Sequence, residues 1–148
     1  MSPDLATAQQ QAQRLIEREQ TAGDANTTGA SAAALAGERL YQTLSRWIGS
    51  DGCHALFARA RAQAQVNHRS LDALYLRARA DPYIEGLSES VKEYGDSATA
   101  DAIEEMLVGT IELLGRLIGV DMATSLIERT SPELARSGTS PKKRRAQA

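Results

Sequence analysis

Residues 96–119, DSATADAIEEMLVGTIELLGRLIG, decide the fold. Ile103, Met106/Leu107, Ile111, Leu114 and Leu117/Ile118 recur at the three-then-four spacing that marks one apolar face of an α-helix. Asp96 stands where a helix cap is expected, and Gly119 where a helix stops. The apolar run from Met106 to Val120 is interrupted by Glu112 and Arg116. It is also shorter than the roughly 18 residues of a membrane-span candidate. The segment therefore predicts the long core helix of a helical domain.

Working towards the N-terminus, the same period recurs. Asp81-Pro82 resembles a cap followed by a first-turn proline, and predicts a helix carried by Tyr83/Ile84, Leu87, Val91 and Tyr94 to Gly95. Leu71, Leu74, Tyr75 and Ala78 predict a shorter helix after a break at His68-Arg69-Ser70. Ser50-Asp51 caps a helix whose stripe is Cys53, Leu56, Phe57, Ala60 and Ala64. A helix over about 31–48 carries Leu40, Tyr41, Leu44, Trp47 and Ile48 and ends at Gly49. Beyond residue 119, Asp121 caps a last helix with Met122, Leu126 and Ile127. No alternating β-branched run is present, so no strands are expected. Short connections favour antiparallel neighbours, giving an all-α, up-down bundle of about five helices.

The two ends read differently. Of 37 large apolar residues, 32 lie between Leu35 and Ile127, which places the bundle domain at 31–130. Residues 1–30 form a Ser2-Pro3-capped helix with only Leu5, Leu15 and Ile16 as large anchors, followed by a polar linker. That helix is expected to attach loosely. Residues 131–148 form a basic tail ending in Lys142-Lys143-Arg144-Arg145 and expected to be disordered. The single Cys precludes an internal disulfide, and with two His it cannot build a usual structural zinc site. The N-terminus lacks the apolar core of a secretory signal. These features point to a cytoplasmic protein, and the Ala- and Arg-rich, Lys-poor composition points to a bacterial one.

Charge is segregated. Five Arg and one Asp between His54 and Arg79 give +4, whereas nine acids and Lys92 between Asp81 and Glu112 give −8. Adjacent helices of opposite sign could simply attract each other. Alternatively, the acidic helices face a basic partner and raise its association rate. Glu85, Glu89, Glu93, Glu104 and Glu105, with Arg59 and Arg61, are the candidate partner-binding residues. A pI near 5.7 and the lack of a basic, aromatic-studded face disfavour nucleic acid.

No catalytic constellation emerges. His54 and His68 are the candidates for phosphoacceptors in a phosphorelay-type bundle, but their surroundings, GCHALFARAR and VNHRSLDAL, match poorly the solvent-facing helix with a nearby Lys or Arg and a small residue one turn on that this role uses. Cys53 and His54, being adjacent, diverge on a helix. No Glu-x-x-His pair, Gly-rich phosphate loop or metal-ligand spacing occurs, and no metal or cofactor is expected. Gly115 and Gly119, four apart, predict a close helix–helix contact. The function expected is that of a non-enzymatic interaction or regulatory module with a protein partner. The alternatives are His phosphotransfer or binding of an apolar small molecule in the bundle. Thirty-two large apolar residues over five helices make a lean core, so a homodimer is expected.

Overall fold

The computed structural model describes residues 3–80 and 82–130. Six α-helices are found among them: α1 (Pro3–Ala22), α2 (Gly29–Ile48), α3 (Ser50–Gln65), α4 (Leu87–Tyr94), α5 (Asp96–Ile118) and α6 (Val120–Glu128). The architecture is the all-α bundle that the periodicity predicts. The tail from 131 onwards and the cap at Asp81 lie outside the described residues.

The most apolar helix, α5, is the axis of the fold and packs against every other α-helix. Ala102, Ile103, Met106, Leu107, Ile111 and Leu114 bury one face of it, while Leu117 at its end is exposed. The chain direction follows from two ties. Asp96 of α5 accepts a hydrogen bond from the Ala30 N–H of α2 at 3.1 Å, so these helices start side by side and run in the same direction. Ala8 lies beside Gly115 and Gln13 reaches Glu104, while Ala60 meets Gly109 and His68, just past α3, reaches Glu105, so α1 and α3 flank α5 in the opposite direction. Thr28 caps α2 through a capping box. Its hydroxyl accepts from the Ser31 N–H, and the Ser31 hydroxyl accepts from the Thr28 N–H, each at 3.1 Å.

Helix α1 docks more fully than its few large side chains predict. Its contact face is built from Ala8, Ala12 and Leu15, all buried, and packs on both α2 and α5. Small side chains let two helix axes approach closely, so backbone packing replaces large anchors. Glu19, 3% exposed, is ion-paired with Arg39 across the same seam. Trp47 was expected on the core face of α2 but is 55% exposed, with the Arg129 guanidinium 5.1 Å from its ring centroid.

The segment between α3 and α4 departs from the sequence reading. The short helix expected at 71–78 is a 3-10 turn, Arg69–Ala73, followed by strand β1, Tyr75–Leu76. The helix expected from Pro82 starts only at Leu87, because Ile84–Glu85 forms β2, antiparallel to β1 with Tyr75 opposite Glu85. Gly86 ends the hairpin at φ +93°, and a Cβ there would lie 2.1 Å from the Ala73 carbonyl oxygen. Only glycine fits both the angle and the space. Tyr83 and Ile84 do have the helical spacing seen in the sequence, but Ile84 enters the core from β2 and Tyr83 from the bend just before it. Tyr83 is fully buried, stacked on Tyr41 at 3.7 Å with Phe57 edge-on to both rings.

Candidate functional site

Asp101, Glu104, Glu105, Val108 and Glu112 follow one another at three- and four-residue steps, so they share one face of α5. That face is turned away from the buried one and looks across at α3. Between the two helices lies a groove of about 500 Å³. Its floor is made of small or short side chains: Ala60 and Ala64 from α3, Val108 and Gly109 from α5. The helices approach closely here, since a Cβ on Gly109 would stand 3.2 Å from the Ala60 Cβ. The four carboxylates form one rim, and His68 and Gln63 lie on the other side.

The electrostatics of this groove are one-sided. Among the described residues no Lys or Arg lines it. The His68 ring nitrogen Nε2 lies 3.1 Å from Glu105 Oε1, an ion pair only when the ring is protonated. Glu104 accepts a long 3.5 Å hydrogen bond from Gln13. Asp101 and Glu112 have neither a hydrogen bond nor an ion pair among the described residues. Mutual attraction between the Arg-rich and acidic segments would require several pairs joining them. Among the described residues one Arg–carboxylate pair does so, Arg77 with Glu85 at 2.6 Å. Most of the acidic charge is therefore left facing outwards.

The seven partner-binding candidates do not gather at one place. Glu104 and Glu105 belong to the α5 groove. Glu89 and Glu93 of α4, together with Glu85, line a separate depression beside Tyr75 and Tyr94. Arg59 is exposed on α3. Arg61 requires a correction, because its guanidinium is internal to the fold. Nε donates to the Leu74 carbonyl at 3.0 Å, and Nη2 to the Leu71 carbonyl at 2.8 Å. It holds the 3-10 turn against α3. Gly115 and Gly119, the expected helix-packing positions, meet no other helix closely among the described residues. Within the chain, a Cβ at Gly115 would meet only Val120 at 3.9 Å, and Gly119, at φ +95°, turns the chain between α5 and α6. The close helix approach falls at Gly109 instead.

Both histidines have partners. His54 Nδ1 is 2.8 Å from the hydroxyl of buried Tyr83, and His68 faces Glu105. Neither contact supplies the neighbouring cation that a phosphoacceptor would use. Glu38 was missed by the sequence reading. Its carboxylate accepts from the Tyr83 and Ile84 N–H groups at 2.8 and 2.7 Å and fixes β2 to α2. A glutamate paired with backbone groups 45 residues away leaves no local pattern to find.

Cys53 is fully buried, and its thiol donates to the Tyr41 carbonyl at 3.6 Å. Burial pushes its pKa from 9.0 up to about 11, only partly offset by Ser45. The raised pKa means the folded state holds the thiol proton more tightly than the unfolded chain does. Its stabilising contribution is complete below about pH 9 and is lost as pH rises through about 11. A disulfide reagent at pH 8 should leave native Cys53 unmodified for hours and label it within minutes in urea. Rapid native labelling would show the thiol to be accessible.

Compared with known protein families, characterised proteins and solved structures, the chain matches none. No helix among the described residues is long and apolar enough to cross a membrane.

Proposed function

We propose that the protein is a non-enzymatic helical interaction module of regulatory type, whose α5 groove receives a basic segment of a partner protein. One observation carries this reading: four carboxylates share one helix face over a small-residue floor, and no Lys or Arg among the described residues lines the groove. A Lys or Arg of the partner can lay its aliphatic stem on Val108 and Gly109 while its head reaches the rim. Long-range attraction by the same charge raises the encounter rate. A cytoplasmic, bacterial setting accords with the composition. We also take the protein to be a homodimer, supported by exposed Trp47, Leu117, Val120 and Met122. Sedimentation as a monomer at high micromolar concentration would overturn that assembly.

The binding test uses a fluorescent Lys/Arg-rich dodecapeptide and the full chain. Affinity should fall about tenfold between low and physiological salt, as expected of screened surface charge. Glu104→Gln/Glu105→Gln/Glu112→Gln should weaken it by a similar factor with the circular dichroism spectrum unchanged. Absence of binding, or an affinity indifferent to both salt and the substitutions, removes the reading.

A further inference from the structure

The chain carries a ligand for its own groove. Lys142-Lys143-Arg144-Arg145 is its densest run of positive charge, and without those four cations the net charge of −2 becomes −6. We infer that this run docks in the α5 groove as an internal ligand and competes there with the partner. The inference rests on the groove being a receptor for a basic segment, as proposed above, and adds the regulation of that site.

Charge, length and position support the assignment. Four cations meet four carboxylates, Asp101, Glu104, Glu105 and Glu112, and no Lys or Arg among the described residues lines the groove. From Asp101 to Glu112 the rim extends about 17 Å along the helix, and four residues of extended chain span about 13 Å. Helix α6 adjoins the Glu112 end of that rim, since Glu112 lines a smaller cavity together with Val120, Ala123 and Thr124. Thr130, six residues past Thr124, is the last described residue. Lys142 follows twelve residues later, at up to about 40 Å of extended chain. The groove is therefore within reach while the bundle stays closed. The other acidic depression, at Glu85, Glu89 and Glu93, belongs to the α4 side of the fold. Helix α4 lies beside the first turns of α5, where the Ser90 and Thr99 hydroxyls are 2.8 Å apart. That is the end of α5 remote from α6, so position favours the groove.

A tethered ligand acts at an effective concentration on the order of 1 mM, whatever the concentration of the protein. Even a weak contact, with Kd about 0.1 mM, then fills most of the grooves and lowers the apparent affinity of an outside peptide about tenfold. A partner segment has to be longer or more basic than the tail to displace it.

The test compares the full chain with its Lys142→Gln/Lys143→Gln/Arg144→Gln/Arg145→Gln variant, whose changes all lie outside the described residues. The fluorescent Lys/Arg-rich dodecapeptide should bind the variant about tenfold more tightly at low salt. Adding Glu104→Gln/Glu105→Gln/Glu112→Gln should remove that gain. Heteronuclear NMR of the two chains should show amide shifts centred on residues 101–112 and unchanged on tenfold dilution. Equal peptide affinity in both chains overturns the inference and leaves the groove reading standing, whereas a peptide that binds neither chain removes both. Shifts centred on Glu85, Glu89 and Glu93 would put the tail in the other depression, and shifts lost on dilution would put it on a second copy. Either result overturns the internal ligand.

Discussion

Tyr83→Ala should lower stability by about 3–5 kcal/mol, the range for truncating a large buried aromatic side chain. Tyr83 is fully buried, stacked within 9° of parallel on Tyr41, and its hydroxyl reaches His54 at 2.8 Å. Removing the ring empties the space between α2 and α3 and leaves the inward side of half-buried His54 without its partner. For a chain of this size the melting temperature should fall by about 10 °C or more. Tyr83→Phe separates packing from hydrogen bonding. It keeps the stack and should cost only about 1 kcal/mol, the net worth of one hydrogen bond. Thermal denaturation of both variants checks the pair. Equal losses would show that the hydroxyl, and not the stacked ring, holds the hairpin in the core.

The contrast between Tyr83 and α5 shows where the sequence was legible. Along α5 the buried set, from Ile103 to Leu114, lies on one face because nothing but helix period governs it. The acidic rim was legible in the same way, since Asp101, Glu104, Glu105 and Glu112 share the opposite face by spacing alone. What spacing could not supply was the wall across from them, which α3 provides through tertiary packing. Tyr83, Ile84, Leu87, Val91 and Tyr94 also have helical spacing, yet Ile84 belongs to a strand and Tyr83 to the bend before it. Glu38 captures their backbone N–H groups, and Gly86 breaks the chain at a left-handed angle. A two-residue strand is too short to show alternation, so a long-range hydrogen-bonded clamp overrode the local pattern. Helix α1 was underestimated for the opposite reason. Its seam is made of alanines, which a search for large apolar anchors passes over. Arg61 was read as a surface charge because its two carbonyl acceptors lie beyond the chain break.

Glu104→Lys/Glu105→Lys should abolish binding of the basic peptide, with a loss on the order of 100-fold or more, while leaving the fold as stable as before. Both halves of that expectation come from the same geometry. Four like charges on one helix face repel one another, and Asp101 stands at i, i+3 and i, i+4 to the two replaced residues. Lys at 104 and 105 converts two repulsive spacings into attractive ones, each worth about 0.2–0.5 kcal/mol on an exposed helix. Against this stand the loss of the long Gln13 contact with Glu104 and of the His68 contact with Glu105. The net change in stability should therefore lie within about 0.5 kcal/mol of zero, as for other exposed substitutions. Binding has no such compensation, because a basic partner now meets like charge at the centre of the groove. A residue set that served only the fold would lose binding and stability together. Anisotropy titration and thermal denaturation of the same preparation distinguish the cases: a groove built for a partner loses its ligand at an unchanged melting temperature, and full peptide affinity in the charge-reversed protein would place the binding surface elsewhere.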